Sequence, residues 1–267
     1  MMTRLTVNGR NYNVEVTGQG IPLVLLHGFT GDTTIWDDLR PHFEQSHHVI
    51  AIDILGHGQS DKPDDVSAYQ MENAACDILK LIEVLSVGKV HLLGYSMGGR
   101  LALYLATQFP ERFHSLILES ASPGLATPAE RAERRNRDNA LADKIEANGI
   151  EWFVDFWERL PLWSSQKNYL ILKQREQRLR NSPVGLANSL RGMGTGVQPN
   201  LWDDVHNLMM PVQLIVGERD EKYVHINREM FNRILDVELN IISNVGHNVH
   251  LENLAMFVET VKDFLKQ

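Results

Sequence analysis

The amino-acid sequence predicts an α/β protein: an eight-stranded, mostly parallel sheet flanked by helices and interrupted by an all-helical insertion. Three observations predict it. Short apolar runs alternate with segments of helical spacing. Several of the runs are unbroken rather than alternating, as strands covered on both faces require. The alternation stops once, over residues 123–201, where only helical patterns remain.

The strands are expected at residues 5–7, 12–16, 22–26, 48–52, 90–93, 115–118, 212–216 and 238–242, with helices at 72–85, 98–108 and 251–266 between and after them. Strand–helix alternation of this kind implies right-handed crossovers and a doubly wound sheet. Within the insertion, helix stops fall at Asn148-Gly149, Leu160-Pro161, Ser182-Pro183 and residues 192–196. Helices inserted between parallel strands sit over the strands' carboxyl ends, where ligands bind in such folds. The chain therefore divides into a body, residues 1–122 and 202–267, and a helical lid, residues 123–201. No internal repeat interrupts this plan.

Composition limits the partners. A chain of 267 residues with 43% hydrophobic and 22% charged content can bury a sizeable core, which argues against disorder. A net charge of −8 disfavours nucleic acid, whose phosphates need a basic surface. The insertion is the exception, with nine Arg and three Lys against six Glu and three Asp. A basic lid on an acidic body suits a small anionic substrate, although a solvated helix face explains such an excess about as well. One cysteine, Cys76, can form no internal disulfide and is expected to pack within its helix. The N-terminus lacks the apolar stretch of a signal peptide, and no run approaches membrane-spanning length. A cytoplasmic protein, monomeric or weakly oligomeric and independent of membranes, is the expectation.

The chemistry is concentrated in Gly94-Tyr95-Ser96-Met97-Gly98-Gly99, which follows a strand and opens a helix. In that setting G-x-S-x-G forms a strained turn that exposes the serine hydroxyl, with small residues beside it because the turn leaves no room. A serine hydroxyl is unreactive at neutral pH without an adjacent base. Among eleven histidines, His247 alone lies between the last strand and the last helix, where this Ser–acid–His order requires it. His27 and His57 follow earlier strands and could line the pocket, and His250 begins the last helix. Asp220, just beyond the strand at 212–216, is the preferred acid, with Glu218, Glu221 and Glu119 as rivals. The oxyanion donors are expected to be the amides of Met97 and Phe29, the second from His27-Gly28-Phe29-Thr30-Gly31-Asp32. No phosphate-loop, dinucleotide or zinc motif is present, so neither metal nor organic cofactor is expected.

These residues, with Asp53-Ile54-Leu55-Gly56-His57-Gly58, resemble the α/β-hydrolase superfamily over nearly the whole chain. More specific stretches are Gly94-Tyr95-Ser96-Met97-Gly98-Gly99-Arg100, Ser122-Pro123-Gly124-Leu125, residues 185–196, Gln198-Pro199 and residues 246–253. They resemble the 2-succinyl-6-hydroxy-2,4-cyclohexadiene-1-carboxylate synthases (MenH) of menaquinone biosynthesis. The resemblance implies a carbon–oxygen lyase that eliminates pyruvate from a substrate carrying three carboxylates, with the triad reused as a base. It further implies that Arg100, Arg134 and Arg180 bind carboxylates and that Tyr95 and Trp157 line the pocket. Whether Arg180 or Arg178 faces that pocket stays open at this level, and Phe156 stands where an indole often sits. A carboxylesterase or thioesterase using the same triad is the chief rival, and a non-catalytic binding module the third reading.

Overall fold

The computed structural model describes residues 2–85 and 87–266. Eight strands form one sheet in the order β1-β2-β4-β3-β5-β6-β7-β8. They are β1 (Met2–Val7), β2 (Arg10–Thr17), β3 (Ile21–Leu26), β4 (His47–Ile52), β5 (Val90–Tyr95), β6 (Phe113–Glu119), β7 (Val212–Gly217) and β8 (Val237–Ile242). Only β1 with β2 and β2 with β4 pair antiparallel; the other five pairings are parallel. The central strands explain their own sequences. Leu23–Leu26, Val49–Ile52 and Val212–Val216 are fully buried because helices cover both faces of the sheet. Edge strand β1 instead alternates between exposed and half-buried positions.

Helices α1 (Met71–Val84) and α2 (Met97–Gln108) pack on one face, and α8 (Leu254–Leu265) on the other, each within its own apolar cluster. Helix α1 buries Met71, Ala74, Ala75, Ile78 and Ile82 at helical spacing, which turns Cys76 outward. The expected packing role of Cys76 is thus corrected: its thiol is exposed. The single helix expected over 251–266 is also divided. Asn253 leaves helical geometry (φ −145°) between α7 (Val249–Glu252) and α8, and its side chain accepts from the Met256 amide, starting α8 afresh.

Between β6 and β7 lie only helices: α3 (Pro128–Trp157), α4 (Asn168–Leu179) and α5 (Pro183–Met193), with short 3₁₀ turns. Thr127 and Glu130 close a capping box at the start of α3, and Gly149, at φ 81°, interrupts it at one of the expected stops. Helices α3 and α5 share a small apolar core of their own that includes Phe153, Val154, Leu186 and Ala187. Strand β7 returns the chain to the sheet, and helix α6 (Glu221–Phe231) follows it and leads to β8. Among the described residues no helix is long and apolar enough to cross a membrane.

Candidate active site

Ser96 sits between β5 and α2 with φ 50° and ψ −107°, the strained turn its flanking glycines predict. Backbone proximity dictates those glycines. A Cβ on Gly94 would lie 2.4 Å from the Gly98 carbonyl oxygen, and one on Gly98 only 2.2 Å from that of Leu26.

Asp220 follows β7, and His247 lies in the loop between β8 and α7. The His247 Nδ1 atom is 2.6 Å from Asp220 Oδ2, and its Nε2 is 2.9 Å from Ser96 Oγ. A carboxylate only accepts, so Nδ1 carries the hydrogen and Nε2 is left to accept from the serine hydroxyl. The rival acids have other partners. Glu218 accepts from the Asn244 amide, Glu119 holds His250, and Glu221 is exposed at the start of α6. The Asp220 and His247 loops are themselves joined, the Arg219 amide donating to the Val245 carbonyl at 2.9 Å.

Ser96 and His247 open into a cavity of about 320 Å³ beneath the insertion. Phe29, Met97, Tyr95, Trp157, Arg100 and Arg134 all line it. Among the described residues, neither the Phe29 nor the Met97 amide donates to a protein acceptor. Both are therefore free for a developing oxyanion, and Met97 adds the positive end of α2.

Arg100 is buried; its Nη1 donates to the Met193 carbonyl at 2.8 Å and to Gln198 Oε1 at 3.2 Å. Loss of water pushes its pKa down to about 10, a sign that this charge lacks a full anionic partner in the protein. Arg134 donates through Nε to Asp138 at 2.8 Å, one helical turn on, which fixes the guanidinium toward the cavity. Lys222, Tyr223, Trp163 and Asp138 also line the cavity and were missed in the sequence. The two-residue spacing of Lys222 from Asp220 and the i,i+4 spacing of Asp138 from Arg134 were the available signals. Desolvation and the nearby charge of Arg134 push the Lys222 ammonium below the usual lysine range.

Arg180 is not brought to this cavity, which corrects the expectation from the resemblance. It ends α4 and donates to Asp32 at 3.2 Å, on the outer side of the loop that carries Phe29. Gln177 also donates to Asp32, at 2.6 Å, and Asn181 to the Thr30 carbonyl, at 2.9 Å, so the tail of α4 grips that loop. Arg178 is buried instead, stacked 5.0 Å from the Trp163 ring centroid and paired with Glu158 and Gln174, and does not line the cavity either. His27 and His57 are likewise corrected: both are fully buried behind Phe29 and outside the cavity lining. His27 Nε2 accepts from the Ile54 amide and its Nδ1 donates to the Gly28 carbonyl, tying the Phe29 loop to the loop after β4. Phe156 and Trp157 both wall the cavity. Among the described residues no cluster of three or more His, Cys, Asp or Glu could hold a metal.

A family profile described as alpha/beta hydrolase fold matches residues 21–254. A protein of Bacillus subtilis (strain 168), provisionally named 2-succinyl-6-hydroxy-2,4-cyclohexadiene-1-carboxylate synthase, is 45% identical over 91% of this chain and 89% of its own. The synthase of that name from Citrobacter koseri is 32% identical, over 91% of this chain and 93% of its own. Among solved structures, MenH from S. aureus superposes with a TM-score of 0.91 at 36% identity, covering 96% of this chain and 97% of that one. A thermophilic esterase from Thermogutta terrifontis superposes at 0.85 with 25% identity, covering 100% and 98%. The chain belongs to the α/β-hydrolase fold family and, within it, to the 2-succinyl-6-hydroxy-2,4-cyclohexadiene-1-carboxylate synthases.

Proposed function

We propose that this chain eliminates pyruvate from 2-succinyl-5-enolpyruvyl-6-hydroxy-3-cyclohexene-1-carboxylate to give 2-succinyl-6-hydroxy-2,4-cyclohexadiene-1-carboxylate, a step of menaquinone biosynthesis. The observation that carries this reading is the cation-walled cavity over the serine: Arg100, Arg134 and Lys222 share it with Ser96 and His247. Hydrolysis of a neutral ester needs the triad and the oxyanion amides but no cationic wall, whereas a tricarboxylate needs positive partners, and planar guanidinium groups suit carboxylates.

The change from a 3-cyclohexene to a 2,4-cyclohexadiene defines a 1,4-elimination. Ser96 Oγ, its own proton drawn to His247 Nε2, removes the hydrogen on the ring carbon that bears the succinyl ketone. The electrons collect on the ketone oxygen, held by the Phe29 and Met97 amides. Collapse of that enolate moves the ring double bonds and breaks the C–O bond to enolpyruvate, which takes up a proton and leaves as pyruvate. Asp220 keeps the imidazole in the required tautomer and steadies its positive form. Arg100 and Arg134 hold substrate carboxylates, while Tyr95 and Trp157 wall the ring. The single cysteine supports a reducing, cytoplasmic setting.

The test supplies purified protein with the enolpyruvyl substrate and follows pyruvate, with p-nitrophenyl esters in parallel. Pyruvate release with slow ester cleavage is expected. Rapid ester cleavage without pyruvate would establish the esterase reading instead.

A further inference from the structure

A second histidine–carboxylate pair lies behind the triad, and the elimination does not use it. Glu119, the last residue of β6, and His250, in α7, are both buried. The Glu119 carboxylate accepts from the His250 amide at 3.0 Å and from its Nδ1 at 2.7 and 2.8 Å. No Lys or Arg pairs with Glu119 among the described residues. The His250 ring is enclosed by aromatic groups: Trp36 at 4.7 Å, Tyr95 at 5.0 Å and Phe257 at 5.8 Å between centroids. Its Nε2 has no hydrogen-bond partner among the described residues. A polar pair in so apolar a setting is stabilised only by its own contacts, so a two-state arrangement of the loop is unfavourable.

The connections of this pair are what matter for chemistry. The main-chain carbonyl of Glu119 accepts from the Ser96 amide at 2.8 Å. Its side chain holds His250, three residues beyond His247. One residue therefore fastens both the nucleophile and the base. Tyr95 fills the space between, its ring 5.5 Å from that of His247.

The geometry points to Glu119 and His250 as positioning residues that set the separation of Ser96 Oγ and His247 Nε2. This deepens the reading above, since it concerns the same triad. A reacting pair displaced by about 1 Å loses roughly 100-fold in rate, so the pair acts on kcat and leaves substrate contacts alone.

The experiment compares wild type with His250→Leu, His250→Asn and Glu119→Leu. Asparagine places an amide N–H where Nδ1–H stood, and leucine removes the donor while keeping the bulk. For His250→Leu, kcat per folded molecule is expected to fall roughly 10- to 100-fold with KM within about threefold. His250→Asn should restore kcat to within about threefold of wild type. Crystal structures should show the 2.9 Å Ser96–His247 contact kept in His250→Asn and opened beyond hydrogen-bond reach in His250→Leu. Should His250→Leu not fold, Glu119→Leu, which removes the acceptor of both His250 bonds, carries the same measurements, with the same fall in kcat and the same opened contact expected. Unchanged kcat in the folded variant, or a fallen kcat with the contact intact, would overturn the proposal. If wild type releases no pyruvate, the functional reading fails, while the crystallographic comparison still decides the positioning role.

Discussion

Gly98→Ala tests how tightly the elbow is built. The new Cβ would lie 2.2 Å from the Leu26 carbonyl oxygen and 2.5 Å from that of His27, both rigid backbone at the end of β3. Ordinary contact begins at 3.4 Å, so the first turn of α2 and the end of β3 must separate by about 1.2 Å. The Met97 amide lies on one side of that contact and the Phe29 amide on the other. Their convergence on a single oxyanion cannot survive such a shift, and a misplacement of about 1 Å costs roughly 100-fold in rate. Forcing the extra carbon in also destabilises the fold by about 1–3 kcal/mol. At ~2–4 °C of Tm per kcal/mol for a chain of this size, Tm should fall measurably. Pyruvate release coupled to lactate dehydrogenase gives kcat/KM, and calorimetry gives Tm. Gly88→Ala is the control, since nothing lies within 4 Å of its Cβ; it should leave both unchanged. A Gly98→Ala enzyme within threefold of wild type in kcat/KM would refute the reasoning.

Ser96→Ala should reduce elimination by about 1000-fold or more while calorimetric binding of substrate changes little; retained turnover would remove the serine from the mechanism. Arg134→Ala should lower kcat/KM by an amount worth about 1.5–3 kcal/mol, the worth of a charge-assisted hydrogen bond from a part-exposed guanidinium, and an unchanged value would make Arg134 a bystander. His57 supplies a pH test. Burial pushes its pKa down to about 3, so the folded protein keeps it neutral while the unfolded chain protonates below the usual histidine value of 6.5. Its contribution is fully present above pH 6.5 and is lost as pH falls toward 3, by up to about 1.4 kcal/mol per pH unit. His57→Asn should flatten the fall in unfolding free energy between pH 6 and pH 4, measured by denaturant titration; parallel curves for the two proteins would contradict this.

Much of this architecture is legible in the sequence because its signals are local. Buried central strands need unbroken apolar runs, and the elbow needs Gly94 and Gly98 at fixed offsets from Ser96. Helix stops in the insertion are written in Gly149, Pro161 and Pro183. What escaped depends on where a side chain points. Arg178 and Arg180 are two residues apart on one helix, and their directions follow from the packing of α4 on Trp163 and on the Asp32 loop. Cys76 faces outward because its neighbours occupy the inner face of α1. The Glu119–His250 pair joins residues 131 positions apart, and no spacing rule connects them.

The grip of Gln177, Arg180 and Asn181 on the Phe29 loop bears on engineering. Roof and oxyanion loop behave as one fitted part, so a lid transplanted from another member of the superfamily without equivalents of these three side chains would detune the backbone amides. Such a chimera would keep every catalytic residue and still work poorly, and substrate range in this scaffold would have to be altered lid and loop together.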